Sequence, residues 1–198
     1  MTSFPLSRAL RAARAGGVAL ALFTLILGLC YPLFLVGFGA VVLPHQAAGS
    51  PLYDSAGNLR GSALLAQAPQ GDAWFYPRPS AGAGQASNAS PADPAHRQEV
   101  EERRRDVSAR EHLAPGEVPP EALTASGSGL DPHVSQEYAE AQVPRVARHT
   151  GLSEARLRDL IARSRQRHAL PGSPGGALVN VTTLNAALAD AVTDGAAQ

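Results

Sequence analysis

Residues 15–44 carry no charged side chain and consist chiefly of Leu, Val, Ile, Phe, Ala and Gly. As a helix rising about 1.5 Å per residue, the more apolar part, Val18 to Leu43, reaches roughly 39 Å, against a hydrocarbon core of about 30 Å. The segment is long enough to cross a bilayer with tilt and reads as one transmembrane helix. Pro32 interrupts it, and a kink is expected from Leu29 to Pro32, since a membrane helix tolerates proline when neighbours or local adjustment satisfy the freed carbonyl. Arg8, Arg11 and Arg14 precede the run, and no further Arg or Lys occurs until Arg60. The positive-inside rule therefore puts residues 1–14 in the cytoplasm and residues 45–198 outside. A cleaved signal peptide shares the basic start, but its apolar region is about 7–15 residues long and ends at a small-x-small site. Here apolarity continues to Leu43, and Leu29 before Cys30 is not the small residue that a lipoprotein site requires.

With the anchor subtracted, roughly 150 residues remain, enough for one modest domain. The 17 basic residues, all Arg, balance 17 acids, so the chain lacks the basic footprint of a nucleic-acid binder. The single Cys lies in the span, which leaves the outer domain without disulfides. The chain contains no lysine. That excludes a P-loop Lys, a Schiff-base Lys and an Asp-Lys-Thr-Gly phosphorylation run, so this polypeptide does not hydrolyse ATP by itself.

The expected fold is α+β: the N-terminal membrane helix, then a small extracytoplasmic domain of short strands and several helices. After a linker at His45–Ser50, Pro51–Tyr53 leads to a turn at Asp54–Asn58, and Arg60–Gln67 is the expected strand. Trp74-Phe-Tyr-Pro-Arg-Pro-Ser80 concentrates aromatics in a chain poor in them; the rings serve as the plug of a small core or, beside Arg78, as a contact surface. Residues 79–94 read as a long loop. Asp93-Pro94 opens a helix over Ala95–His112 that is polar nearly all round, with a thin seam at Val100 and Val107. Ser135 caps a helix through Glu140, Pro144 breaks or kinks it, and a further turn runs to Arg148. Gly151 closes this region, and Ser153 caps a helix to about Gln166 with Leu157, Leu160 and Ile161 on one face. A Pro/Gly loop at 170–176 precedes a buried strand, Leu178–Val181. A last helix carries the stripe Leu184, Leu188 and Val192.

The Ser126-Gly-Ser-Gly129 run raises the question of catalysis. It is not a nucleophile elbow, because Thr124 and Ser126 occupy the positions where Gly would be required. Ser128, Asp131 and His133 have the residue types of a triad, but a triad is defined by geometry. The glycines fit tight turns without further assumption. Gly127-x-Gly129 lacks the third Gly of a dinucleotide fingerprint, and the six His are scattered without HExxH or Cys partners, which supports no metal site. Asn88-Ala-Ser90 and Asn180-Val-Thr182 match the glycosylation sequon by letter only. The residues alone describe an anchored outer domain without a catalytic constellation, suited to being an assembly part.

One span with Tyr31-Pro32, then Arg60-Gly-Ser62, Phe75-Tyr-Pro-Arg-Pro-Ser80, Leu123-Thr-Ala-Ser-Gly-Ser-Gly-Leu-Asp131-Pro132, Gln142-Val-Pro-Arg-Val-Ala147, Val179-Asn-Val181 and Leu184-Asn185 resemble the C subunit of the bacterial Kdp potassium-transporting P-type ATPase. The resemblance covers nearly the whole chain in order. It implies a non-catalytic part of a high-affinity, ATP-driven K⁺ uptake complex in the bacterial inner membrane. Its partners would be a K⁺-conducting A subunit, an ATP-hydrolysing B subunit and a small F subunit. The complex uses ATP, Mg²⁺ and K⁺; the C subunit itself is an accessory that assists assembly and, as a catalytic chaperone, raises the ATP affinity of the B subunit. An outside domain cannot touch cytoplasmic ATP, so the topology favours a structural role on the outer face of the A subunit. The family's Gly-Glu-Pro-Arg before Val-Asn-Val is Gly175-Gly-Ala-Leu178 here, and its Leu-Glu-Leu-Asn is Thr182-Thr-Leu-Asn185. By motif, Arg78, Ser80, Ser126, Ser128, Asp131, Asn180 and Asn185 are the candidates for an interface or for bracing loops. Two alternatives remain: an anchored interaction domain unrelated to transport, and an anchored hydrolase using Ser128.

Overall fold

The structure is a computed structural model that describes residues 6–80, 84–166 and 178–196. It forms two compact units, Met1–Ser50 and Pro51–Gln198.

In the first unit, α1 (Leu6–Leu25), a π-helical turn (Ile26–Cys30) and α2 (Tyr31–Val42) follow one another without a break. Over Ser7–Val42, 36 residues, this helix is long and apolar enough to cross a membrane. Leu20, Phe23, Val36 and Val41 all point outward, as a lipid-facing surface requires. The π turn lies just before Pro32. Proline has no N–H to return to the preceding turn and its ring crowds that carbonyl, and the helix widens there, with the Tyr31 N–H donating to Ile26 O. Leu43 leaves helical geometry at φ −134°, and Pro44 opens the single turn α3 (Pro44–Ala47).

The second unit begins with β1 (Pro51–Tyr53) and β2 (Leu59–Ser62), an antiparallel pair with a register shift between Leu52 and Tyr53. Their turn is held by the Asp54 carboxylate, which accepts from the N–H groups of Asn58 at 2.8 Å and Ala56 at 3.0 Å. The Asn58 hydrogen bonds hold the Asp54 carboxyl below its ordinary range. The expected strand over 60–67 is shorter: it stops at Ser62, whose hydroxyl accepts from Leu64 N at 3.1 Å and turns the chain.

Among residues 84–93 there is no helix or strand. α4 (Pro94–Glu111) opens on Asp93, whose side chain accepts from Ala95 N at 2.9 Å, and closes at His112 in the left-handed region. Two 3₁₀ turns, Pro115–Glu117 and Pro120–Ala122, lead to β3 (His133–Ser135), α5 (Gln136–Ala141), α6 (Val143–Thr150) and α7 (Glu154–Arg163). Ser135 and Ser153 cap α5 and α7 through their hydroxyls. Pro144 sits in the first turn of α6, where its missing N–H costs nothing. Gly151 takes φ +74° and ends α6. The helix expected to reach Gln166 stops at Arg163, and Arg165–Gln166 form β4 instead. β4 and β3 both pair antiparallel with the central β5 (Leu178–Asn180). α8 (Val181–Ala196) follows β5 directly. The loop expected at 170–176 lies outside the described residues, as do Gly175, Gly176 and Ala177 of the variant motif.

Phe75, Val134, Tyr138, Val143, Val146, Leu157, Ile161, Val179, Leu184 and Leu188 form the core, each at most 1% exposed. Phe75 is the plug that the aromatic cluster suggested. Leu184 and Leu188 make the buried stripe of α8, while Val192 is 36% exposed at its far end.

Candidate functional site

Residues 74–80 run beside the loop at 123–131, and the side chains of Arg78, Ser80 and Asp131 join the two together with the backbone of Ser126. Ser126 N donates to Pro79 O at 3.0 Å, and Ser80 Oγ donates to Gly129 O at 2.9 Å. Arg78 Nη2 reaches Thr124 Oγ1 at 3.3 Å and Ala125 O at 3.5 Å, with Nη1 3.9 Å from Asp131. Asp131 accepts in turn from His133 N at 3.0 Å. Arg78, Ser80, Ser126 and Asp131 thereby border one cleft of about 540 Å³, whose other walls include Tyr76, Pro77 and Leu130, with Val107 and Arg110 from α4.

The other three candidates lie elsewhere. Ser128 accepts from Leu130 N at 3.1 Å and does not line the cleft. Asn180 donates to Ala63 O at 2.7 Å and accepts from Thr183 N at 3.1 Å, which joins the start of α8 to the segment after β2. Asn185 treats Phe75 as a neighbouring strand would: its Oδ1 accepts from Phe75 N at 2.9 Å and its Nδ2 donates to Phe75 O at 2.8 Å. Thr182 adds a bond to Leu65 O at 2.8 Å. Asn180 and Asn185 brace loops.

The triad arrangement fails on geometry. His133 Nδ1 meets Asp131 at 3.0 Å, but Nε2, the atom that would take a proton from a serine, is 3.0 Å from Gln166 Oε1. Ser128 is not its partner. Among the described residues no group of three or more His, Cys, Asp or Glu could hold a metal ion.

Behind the cleft lies a polar network outside the candidate residues, although its Tyr76, Gln142 and Arg145 stand in two of the quoted motifs. Glu111, at the end of α4, and Arg145, on α6, form a buried ion pair, with Arg145 Nε 2.9 and 3.1 Å from the two carboxylate oxygens. The same guanidinium donates to the carbonyls of Asp72 and Trp74 and, at 2.9 Å, to Gln142 Oε1. Gln142 grips Tyr76 at both N (2.7 Å) and O (3.2 Å). The Tyr76 ring has Arg110 4.1 Å and Arg145 5.0 Å from its centroid, both within cation–π range. Burial opposes charge on Arg110, but its hydrogen bond to Glu111 and the neighbouring anions outweigh this and raise its pKa. Burial pushes the Tyr138 hydroxyl up to about 12. One signal for this network was present in the sequence: Gln142, Arg145 and Val146 share a face by i, i+3, i+4 spacing, which sets an arginine on the apolar stripe of a helix.

A family model described as the K⁺-transporting ATPase, c chain, matches residues 13–190. A potassium-transporting ATPase KdpC subunit from Pseudomonas syringae pv. tomato is 48% identical over 172 residues, 84% of this chain and 87% of that protein. One from Kineococcus radiotolerans is 45% identical over 196 residues, 96% of this chain and 98% of that protein. The matched region runs through the apolar helix and the cleft-bearing domain alike, and the chain belongs to the KdpC family, the c chains of K⁺-transporting ATPases.

Proposed function

We propose that this chain is the accessory, non-catalytic subunit of a high-affinity, ATP-driven K⁺ uptake complex. Its partners in that reading are a K⁺-conducting A subunit, an ATP-hydrolysing B subunit and a small F subunit. One observation carries it: family similarity extends over residues 13–190, through anchor and domain together. The motif residues are built to hold loops in place and not to react; Arg78, Ser80 and Asn185 use their polar atoms on backbone groups of neighbouring segments. A rigid surface is what assembly requires.

The arginines at positions 8, 11 and 14 orient the single span with its N-terminus in the cytoplasm of a bacterial inner membrane and the domain outside. In that orientation the domain acts on the outer face of the A subunit, toward the K⁺ entrance. Any rise in the ATP affinity of the B subunit then passes through the assembled complex and not through nucleotide bound here. The test is affinity purification of the tagged chain in mild detergent from its source cells grown at very low K⁺, followed by an ATPase assay. Two larger membrane proteins and K⁺-stimulated, vanadate-sensitive hydrolysis are expected. A chain that elutes alone and inactive overturns the reading.

A further inference from the structure

Beyond residue 50, the large apolar side chains left exposed among the described residues fall almost entirely in one short stretch. They are Tyr53, Leu59, Leu64 and Leu65, with Val192 in α8 the least exposed of the set. Tyr53 is 58% exposed, Leu59 66% and Leu64 60%. Single exposed leucines need no explanation, but a cluster of them marks a surface that something else covers. The pairing of β1 with β2 sets Tyr53 opposite Leu59, so the two side chains share one face of the hairpin. Leu52, one residue earlier, takes the other face and borders a recess with Trp74, Thr182 and Asn185. Ser62 pairs with Pro51, the first residue of the domain, and the turn that follows is held by Ser62: its Oγ accepts from Leu64 N at 3.1 Å and its carbonyl from Leu65 N at 3.3 Å. The apolar stretch therefore surrounds the point at which the chain enters the domain.

What covers it follows from the chain's own connection. α2 ends at Val42 and β1 begins at Pro51, so only residues 43–50 lie between the apolar helix and the hairpin. Those residues are coiled: Ala47 N donates to Leu43 O at 2.8 Å, and Ser50 N returns to His45 O at 2.9 Å. Pro51 then follows Ser50 across one peptide bond, with Cα atoms about 3.8 Å apart. So short a tether holds the hairpin at a membrane surface with high effective concentration, in whichever leaflet the span ends. The charges agree with such a neighbour. Asp54 is engaged by Asn58 and lies 3.7 Å from Arg60 Nε, so the hairpin turns no unpaired carboxylate toward anionic headgroups. A tyrosine with a polar tip, leucines and an arginine with an apolar stem are the side chains that settle at a lipid–water boundary.

We propose that the outer face of the β1–β2 hairpin, together with the turn at Leu64 and Leu65, inserts into the headgroup region of the bilayer that the chain spans. Leu59 and Leu64 reach the upper acyl chains, and Tyr53 sits at the boundary. The proposal rests on the membrane span and is independent of the accessory-subunit reading. It gives the domain a second attachment to lipid, which sets its orientation where a single helix would leave it free to swivel.

The test attaches a nitroxide to single cysteines of the purified full-length chain, together with whatever subunits accompany it. In a Cys30→Ser background these are Leu59→Cys and Leu64→Cys in the hairpin region, Leu27→Cys in the span and Ala155→Cys on the exposed face of α7. All four positions are exposed, so the labels displace no core side chain. The proteins are reconstituted into vesicles of phosphatidylethanolamine and phosphatidylglycerol in equal parts. Collisions of each nitroxide with oxygen, which concentrates in lipid, are compared with those of a water-soluble nickel chelate. The oxygen-to-nickel ratio at positions 59 and 64 is expected to lie several-fold above that at position 155 and below that at position 27. Nickel collisions at 59 and 64 as frequent as at 155 mean that the hairpin stands in water, and overturn the proposal. Loss of collisions with both reagents there means cover by protein, another subunit or a second copy, and overturns it as well. A ratio at position 27 as low as that at 155 overturns the membrane span itself, and the hairpin proposal falls with it.

Discussion

Glu111 and Arg145 meet inside the domain with Nε 2.9 Å from the carboxylate, and neither side chain is more than 2% exposed. Leaving a buried charge with no partner costs about 3–5 kcal/mol. Arg145→Met leaves Glu111 with Arg110, 2.8 Å away, and is expected to destabilise the domain by less than that amount in denaturant unfolding of the detergent-solubilised chain. Glu111→Leu with Arg145→Met removes the pair but takes the carboxylate from Arg110, so it should recover little of the loss. Arg145 also holds the carbonyls of Asp72 and Trp74, so recovery is expected to be incomplete.

Asn185 supplies both backbone partners of Phe75, a residue with no solvent exposure. Asn185→Ala leaves one donor and one acceptor unsatisfied, each worth about 1–3 kcal/mol. Faster hydrogen exchange at the Phe75 amide is the expected local sign. Asn185→Asp keeps the acceptor for Phe75 N but faces Phe75 O with a second oxygen, and should fall between Ala and wild type.

The Tyr138 hydroxyl titrates near 12 in the folded domain and near 10 when unfolded, because burial disfavours the phenolate. Below pH 10 both states keep the proton and the group has no effect on the pH dependence. Between pH 10 and 12 the unfolded chain loses its proton first, so stability falls by about 1.4 kcal/mol per pH unit. Tyr138→Phe removes this slope, which denaturation midpoints measured across that window will show.

Gly61 in β2 adopts φ +144°, and a Cβ there would run into the Gln67 side chain. Gly61→Ala is expected to cost about 1–3 kcal/mol from the backbone alone. Adding Gln67→Ala relieves the collision but not the dihedral, so melting temperatures of the double variant should stay below those of Gln67→Ala.

Leu27 lies in the π turn of the membrane helix and is 61% exposed. Leu27→Arg sets a charge mid-span and is expected to cost about 2.5–3.5 kcal/mol of insertion. The measurement is the fraction of chain that resists alkaline extraction from membranes; full retention would contradict a membrane-spanning role for residues 7–42.

What could be read in the sequence was local. Asp93, Ser135 and Ser153 announced their helices, and Gly151 an ending, because a cap depends only on the residues beside it. β3 and β4 escaped notice for the opposite reason. His133-Val-Ser and Arg165-Gln are too short to carry a period, and only pairing with β5 makes them strands. Arg165 and Gln166 look like the polar end of α7 until that pairing is known. Among site residues, Arg78, Ser80, Ser126 and Asp131 could be singled out from their unusual motifs and do converge on one cleft. Glu111 could not: it ends a helix polar nearly all round, and its partner is 34 residues away.

Asn180, Thr182 and Asn185 fasten α8 to Ala63, Leu65 and Phe75, more than a hundred residues earlier in the chain. Ribosomal synthesis therefore delivers the aromatic plug long before the helix that secures it, and the early segments must wait with their apolar side chains and backbone groups unsheltered. Contacts between such distant positions slow folding, because a long loop must close before they form. The domain's correct closure thus waits on late synthesis: a chain released before Asn180 lacks its fastener, and is left open to proteases.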